Sequence, residues 1–167
     1  MNGTAFDIAL ARRSIRQYRS DPVAPDQVRR LLEAAMAAPS GHNKQPWHFV
    51  TVTHRETLNR LAERHPYARM LHQAPLCIAV CGEPESEFWV QDCAAATQSI
   101  LLVATEMGLG TVWCGVYPKP ELEEGVREVL AVPPGITPFC LIAVGRPAES
   151  KEPRTQFQEA RWHRERW

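Results

Sequence analysis

Residues 76–81, Leu-Cys-Ile-Ala-Val-Cys, form a nearly unbroken apolar run of strand length. A strand without alternating polar positions has no side suited to water, so this run predicts a strand buried on both faces. The fold must therefore place covering elements above and below it. Further strands are expected at 48–52 (HFVTV), 111–116 (TVWCGV) and 137–144 (TPFCLIAV).

Helical segments are expected between these strands. Short ones are predicted at 4–12, 55–64 and 68–73. Over 26–38, Val28, Leu31, Leu32, Ala35 and Met36 recur at helical spacing, with Pro25 suited to the first turn and Pro39 to a stop. The longest candidate covers 88–107, with Cys93, Ala96, Thr97, Ile100, Ala104 and Met107 on one face. Ala94 and Ala95 keep its neighbouring surface thin enough for close approach by another helix, including one from a second subunit. Gly108-Leu109-Gly110 stops it, and a last helix is expected over 119–130, ended by Pro133-Pro134-Gly135.

From Ala148 the chain turns charged and loses apolar periodicity, apart from Phe157, Trp162 and Trp167. Aromatics spaced through a polar segment predict an extended arm, residues 148–167, that docks through a few anchors. A partner subunit offers such a surface where a monomer offers little. With no internal repeat and no clear linker, the length predicts a single domain over 1–167.

Nineteen basic residues balance nineteen acidic ones, so no overall field favours nucleic acid or an anionic membrane. No stretch reaches the ~20 apolar residues of a membrane span, and the first residues lack the order of a secretory signal. A cytoplasmic protein is expected. Cys77, Cys81, Cys93, Cys114 and Cys140 sit inside apolar segments without a CxxC pair, which predicts buried, reduced thiols.

Several chemistries lose support by absence. The chain has no GxxxxGK[ST] loop, no GxGxxG after a strand and no GxSxG. Its six histidines form no HExxH or i,i+4 pair, so no metal site is expected, and its carboxylates form no evident acid/base dyad. Two polar stretches remain. Arg12-Arg13-Ser14-Ile15-Arg16 packs three guanidinium groups and a hydroxyl into five residues, the means to hold a phosphate. Residues 39–47, Pro-Ser-Gly-His-Asn-Lys-Gln-Pro-Trp, form a loop of small residues and side-chain amides.

Taken singly, the first reads equally as a helix-end surface, His42 as a solvated loop residue, and Trp47 and Trp113 as core. Taken as two walls of one site, these groups bind and polarise but supply no nucleophile or general base. Such a site either only binds its ligand or lets a cofactor carry the reaction. Flavin mononucleotide (FMN) suits both walls, with arginines for its phosphate and hydrogen-bond donors for its pyrimidine edge.

Four segments in order over the whole chain, RRSIRQY, APSGHNKQPWHF, AAATQSILLVATEMGLGTVWCGVYP and VGRPAE, resemble the nitroreductase family of flavin enzymes. The resemblance implies an α+β fold with a central, mostly antiparallel sheet flanked by helices. It also implies an intertwined homodimer with an exchanged C-terminal arm and FMN at the subunit interface. By that resemblance Arg12, Arg13, Ser14 and Arg16 match the first flavin-binding segment. Pro39, Ser40, Gly41, Asn43 and Gln45 match the loop offered by the neighbouring subunit. Val112, Trp113, Cys114 and Gly115 match the strand end beside the isoalloxazine, and Gly145 and Arg146 a turn near the phosphate. His42 and Trp113 are candidate substrate contacts.

The chain departs from the family pattern in two places. Arg146 stands where many relatives have Tyr, and Arg154-Thr155-Gln156-Phe157 stands where an RTR-aromatic pattern is frequent. Gln156 carries no charge for the phosphate, so Arg154 or Arg146 is expected to bond it instead.

The implied reaction is ping-pong. NAD(P)H reduces the flavin and leaves, and a small electron-poor acceptor such as a nitroaromatic or quinone takes the electrons. No residue need act as acid or base. The short link from the 76–81 strand to the long helix predicts an open, shallow cleft and loose choice of acceptor. The alternatives are a flavin-binding carrier or sensor with little turnover, a reductive dehalogenase or flavin-fragmenting relative, and a flavin-free dimeric interaction module.

Overall fold

The apolar runs form the middle of one sheet. In a computed structural model describing residues 3–167, the strands are β1 (Trp47–Val52), β2 (Leu76–Gly82), β3 (Gly110–Gly115) and β4 (Thr137–Gly145). Met1 and Asn2, part of the single domain expected over 1–167, lie outside the described residues. The strand order is β1-β2-β4-β3, and each neighbouring pair is antiparallel. Every residue of β2 is buried, as the unbroken apolar run requires.

The alternation hidden in that run sorts side chains to two cores. Cys77 and Ala79 join Leu58, Leu61, Val126, Leu141 and Ala143 on one face. Leu76, Ile78 and Val80 join Leu31, Ala35, Cys93, Ala96, Ile100 and Ile142 on the other. The covering layers are α3 (Arg55–Arg64) and α5 (Pro120–Leu130) on the first face, and α2 (Pro25–Met36) and α4 (Trp89–Glu106) on the second. Each fully buried Leu or Ile contributes about 1.5–3 kcal/mol, so both faces are anchored independently.

The helices follow the predicted spans with local trimming. The expected helix over 68–73 is a 3₁₀ turn, Arg69–His72, because six residues behind Pro66 cannot offset helix nucleation. Helix α4 stops where Gly108 takes φ +71° and Leu109 N–H donates to the Ala104 carbonyl at 2.8 Å. Among the described residues, no helix is long and apolar enough to cross a membrane.

The N-terminal helix α1 (Ala5–Ala11) is capped reciprocally by Thr4 and Asp7. The chain then runs extended along the outer edge of β3: Ser14 bridges Thr111 in parallel, and Ile15 N–H donates to the Thr111 carbonyl at 2.9 Å. Chain leaving β4 returns beside this segment. Arg19 N–H bonds the Arg146 carbonyl, Ala148 N–H the Gln17 carbonyl, and Arg154 N–H the Leu10 carbonyl, each at 2.9 Å. The first part of the tail is thus tied to its own N-terminal segment. Beyond it Phe157, Trp162 and Trp167 are exposed, and Phe157 and Trp162 stack edge to face at 6.1 Å.

Candidate functional site

The segment after α1 buries Ile15 and Tyr18, and the Tyr18 hydroxyl donates to the Ile15 carbonyl at 2.5 Å. With those two inside, Arg12, Arg13, Ser14 and Arg16 line a cavity of about 260 Å³ together with Lys151 and Arg154. Two polar contacts hold this wall in place. The Arg13 guanidinium donates to the Glu152 carbonyl, and Lys151 Nζ donates to the Ser14 carbonyl at 2.6 Å.

Burial, and then the nearby charges of Arg154 and Arg13, lower the proton affinity of Arg12. Uncompensated guanidinium groups around one cavity favour an anion there. Glu149 stands beside the cluster with its carboxylate largely engaged. It accepts the Arg16 N–H at 2.5 Å and the Gln17 N–H at 3.3 Å, and it pairs with Lys151 at 3.3 Å. Those bonds, the Arg16 N–H foremost, hold its carboxyl below the usual carboxylate range.

Arg16 also lines a second cleft of about 470 Å³. Its other lining comes from the end of β3, Val112 to Gly115, and from the loop holding His65, Pro66, Tyr67, Arg69 and Met70. Trp113 is half-buried, its ring 5.6 Å from Phe139. A Cβ on Gly115 would meet no atom within 4 Å, so the backbone there borders open space. The Cys114 thiol donates to the Tyr67 carbonyl at 3.3 Å, and burial pushes its pKa up to about 11 despite Arg16 nearby. It is therefore no nucleophile at neutral pH. All five cysteines are buried, unpaired thiols with raised pKa values.

The loop at 39–45 is locally strained and locally braced. His42, Asn43 and Gln45 take φ of 51°, 55° and 51°, a region costly for residues with a Cβ. Ser40 Oγ accepts the Gln45 N–H at 3.0 Å, and Gln45 Nε2 donates to Asn43 Oδ1 at 2.8 Å. Gly41 N–H donates to the buried Asp92 at 3.0 Å, and a Cβ on Gly41 would lie 2.5 Å from the Phe88 ring. Pro39 opens the loop and stops α2 at Met36. Gly41 and His42 border a separate cleft of about 290 Å³ with Lys44, Phe88 and the acidic Glu83, Glu85 and Glu87.

The structure thus brings Arg12, Arg13, Ser14, Arg16 and Arg154 together, and sets Val112 to Gly115 on the adjoining cleft that Arg16 shares. Within one chain it does not bring the 39–45 loop to either cavity. Gly145 and Arg146 line neither. Gly145 packs where a Cβ would lie 2.7 Å from Pro75, and the exposed Arg146 uses its carbonyl to hold Arg19. Lys151, Arg69, Tyr67, His65 and Asp92 escaped the sequence reading. Long-range pairing delivers each of them, and the nearest local signal was the basic charge around Arg154.

A sequence model described as "Nitroreductase family" matches residues 9–65 and 62–146. A Methanothermobacter thermautotrophicus protein, provisionally named NADH dehydrogenase/NAD(P)H nitroreductase, is 44% identical over 160 residues, covering 93% of this chain and 84% of its own length. A solved Bacteroides thetaiotaomicron structure carrying the same provisional name superposes with TM-score 0.96 at 39% identity and full coverage of both chains. An FMN-dependent nitroreductase from Clostridium difficile superposes with TM-score 0.93 at 28% identity, over 97% of this chain and 99% of that one.

Proposed function

Because the chain belongs to the nitroreductase family, and is an oxidoreductase by that membership, we propose that it binds FMN and uses NAD(P)H to reduce electron-poor acceptors. The observation that carries this reading is Arg16, which borders both the cationic cavity and the larger cleft. A phosphate ester held among guanidinium groups and joined to a planar ring beyond them needs two such adjoining spaces.

The residues suit the group. Arg12, Arg13, Ser14, Arg154 and Lys151 would hold the phosphate, and their mutual repulsion favours a bound anion. The end of β3 would border the ring, with open space at Gly115. Arg16 and Arg69 put positive charge at that cleft, which favours negative charge on a bound ring. Bound there, FMN supplies two-electron chemistry between NAD(P)H and a nitroaromatic or quinone in ping-pong order.

Trp113, and Tyr67 at 70% exposure, offer aromatic surface to a planar acceptor from this chain, and His42 is proposed to do so from a second copy. That second copy would bring Pro39, Ser40, Gly41, Asn43 and Gln45 to the flavin, the two copies being held together by exchanged C-terminal arms. Six residues join β2 to α4, too few for a lid of their own, which supports an open cleft with loose acceptor choice. Reliance on NAD(P)H favours the cytoplasm as its place of action.

Anaerobic mixing of purified yellow protein with NADH or NADPH tests the reading. Bleaching of the flavin band within seconds, reversed by a quinone, is expected. Yellow protein that never bleaches would make it a flavin carrier or sensor, and protein that stays colourless after incubation with FMN refutes the reading.

A further inference from the structure

His65 is 1% exposed, and its ring is bonded on both nitrogens. Tyr67 N–H donates to Nδ1 at 3.2 Å, which leaves the ring proton on Nε2, 2.9 Å from the Gly115 carbonyl oxygen. The Cys114 thiol adds a third bond between the same two segments, to the Tyr67 carbonyl at 3.3 Å. One segment is the loop that carries Tyr67 and Arg69, and the other is the end of β3 that carries Trp113 and Gly115. Both line the larger cleft.

A buried polar ring is costly unless each nitrogen is bonded, so packing alone is better served by an apolar residue at position 65. What the imidazole adds is a tie of fixed length between two walls. It works on backbone atoms, the Gly115 carbonyl and the Tyr67 amide, which stay in place whatever side chain stands there, proline at 67 excepted.

We propose that His65 is a positioning residue of this site. Through Gly115 and Tyr67 it fixes the spacing of the two walls, and with it the affinity for FMN and the reduction potential of the bound flavin. The inference rests on the flavin reading above. Its physical basis is Arg69, the cation on the loop: a loop free to swing outward carries that charge away from the ring and favours the reduced form less.

The test compares wild type with His65→Phe, which keeps a ring but loses both bonds, and with His65→Gln, whose amide offers a donor and an acceptor. Apoproteins are titrated with FMN by fluorescence, the flavin potential is measured against reference dyes, and apoprotein melting is followed separately. His65→Phe is expected to bind FMN roughly 10-fold more weakly or worse, because the two walls that His65 tied are no longer held at the spacing the ring needs. Its flavin potential is expected to fall, and His65→Gln to recover most of both properties.

A His65→Phe protein that matches wild type in affinity and potential overturns the role of His65, even if it melts earlier. Wild-type protein that takes up no FMN instead refutes the flavin reading itself. Ring-nitrogen NMR of wild type decides the matter without a variant: a proton found on Nδ1 rather than Nε2 overturns the proposal.

Discussion

Gly115 offers a direct single-residue test of where the ring lies. Its position has ordinary φ, and an added Cβ meets nothing within 4 Å, so Gly115→Ala leaves the fold untouched. If a planar ring rests against that backbone, the methyl occupies its space. Unchanged melting with FMN uptake lost or at least severely reduced is expected in a titration; unchanged uptake would move the ring elsewhere. Arg12 gives the complementary test for the phosphate. Arg12→Gln removes a charge-assisted bond worth about 1.5–3 kcal/mol, so FMN affinity falls roughly 10- to 100-fold, while riboflavin, lacking the phosphate, binds as in wild type. Equal losses for both ligands would assign Arg12 to the ring. At this scale the sequence was legible where chemistry is dense in one segment, as at Arg12 to Arg16. It was silent on Lys151, Arg69 and His65. Each is an unremarkable residue until pairing between distant segments, such as Ala148 on Gln17 or His65 on Gly115, brings it to a cavity.

Elements were legible wherever burial imposes a period. Among the described residues, the strands and the helices α2 to α5 follow their apolar patterns, and the family resemblance matches the antiparallel sheet that the structure contains. Where no period exists, local chemistry decides. The 3₁₀ turn at Arg69–His72 and the three positive-φ residues of the 39–45 loop have no signature that composition reveals. Two helix ends make the point measurable. Gly108 ends α4 at φ +71° with free space around it, and Ala131 ends α5 at φ 51°. An L side chain in that conformation costs about 1 kcal/mol relative to glycine. Gly108→Ala should therefore lower Tm by about 2–4 °C, and Ala131→Gly should raise it by a similar or smaller amount. Thermal unfolding checks both, and equal Tm values for all three proteins would show that these caps carry no strain.

For the whole molecule the decisive fact is a separation. The cationic wall and the strained loop both look built for a ligand, yet in one chain they border different cavities. Strain at His42, Asn43 and Gln45, braced by Ser40 and Asp92, is hard to account for if the loop only faces water. The exposed aromatics of the tail pose the same question, since Phe157, Trp162 and Trp167 gain little from solvent. A second copy would answer both if, as proposed, it took up the arm and lent its loop to the neighbour's flavin. Mixed dimers test that arrangement without relying on any single variant's stability. One chain carries Arg12→Gln together with Arg13→Gln, which spoils the cationic wall. The other carries Asn43→Ala together with Gln45→Ala, which spoils the loop. Neither homodimer retains an intact site. If each site draws its wall from one chain and its loop from the other, a mixed dimer holds one intact site and one doubly damaged site. Random reassociation then restores about a quarter of wild-type flavin uptake and turnover. If both walls belonged to one chain, mixing would restore nothing, and the two-subunit site would have to be abandoned.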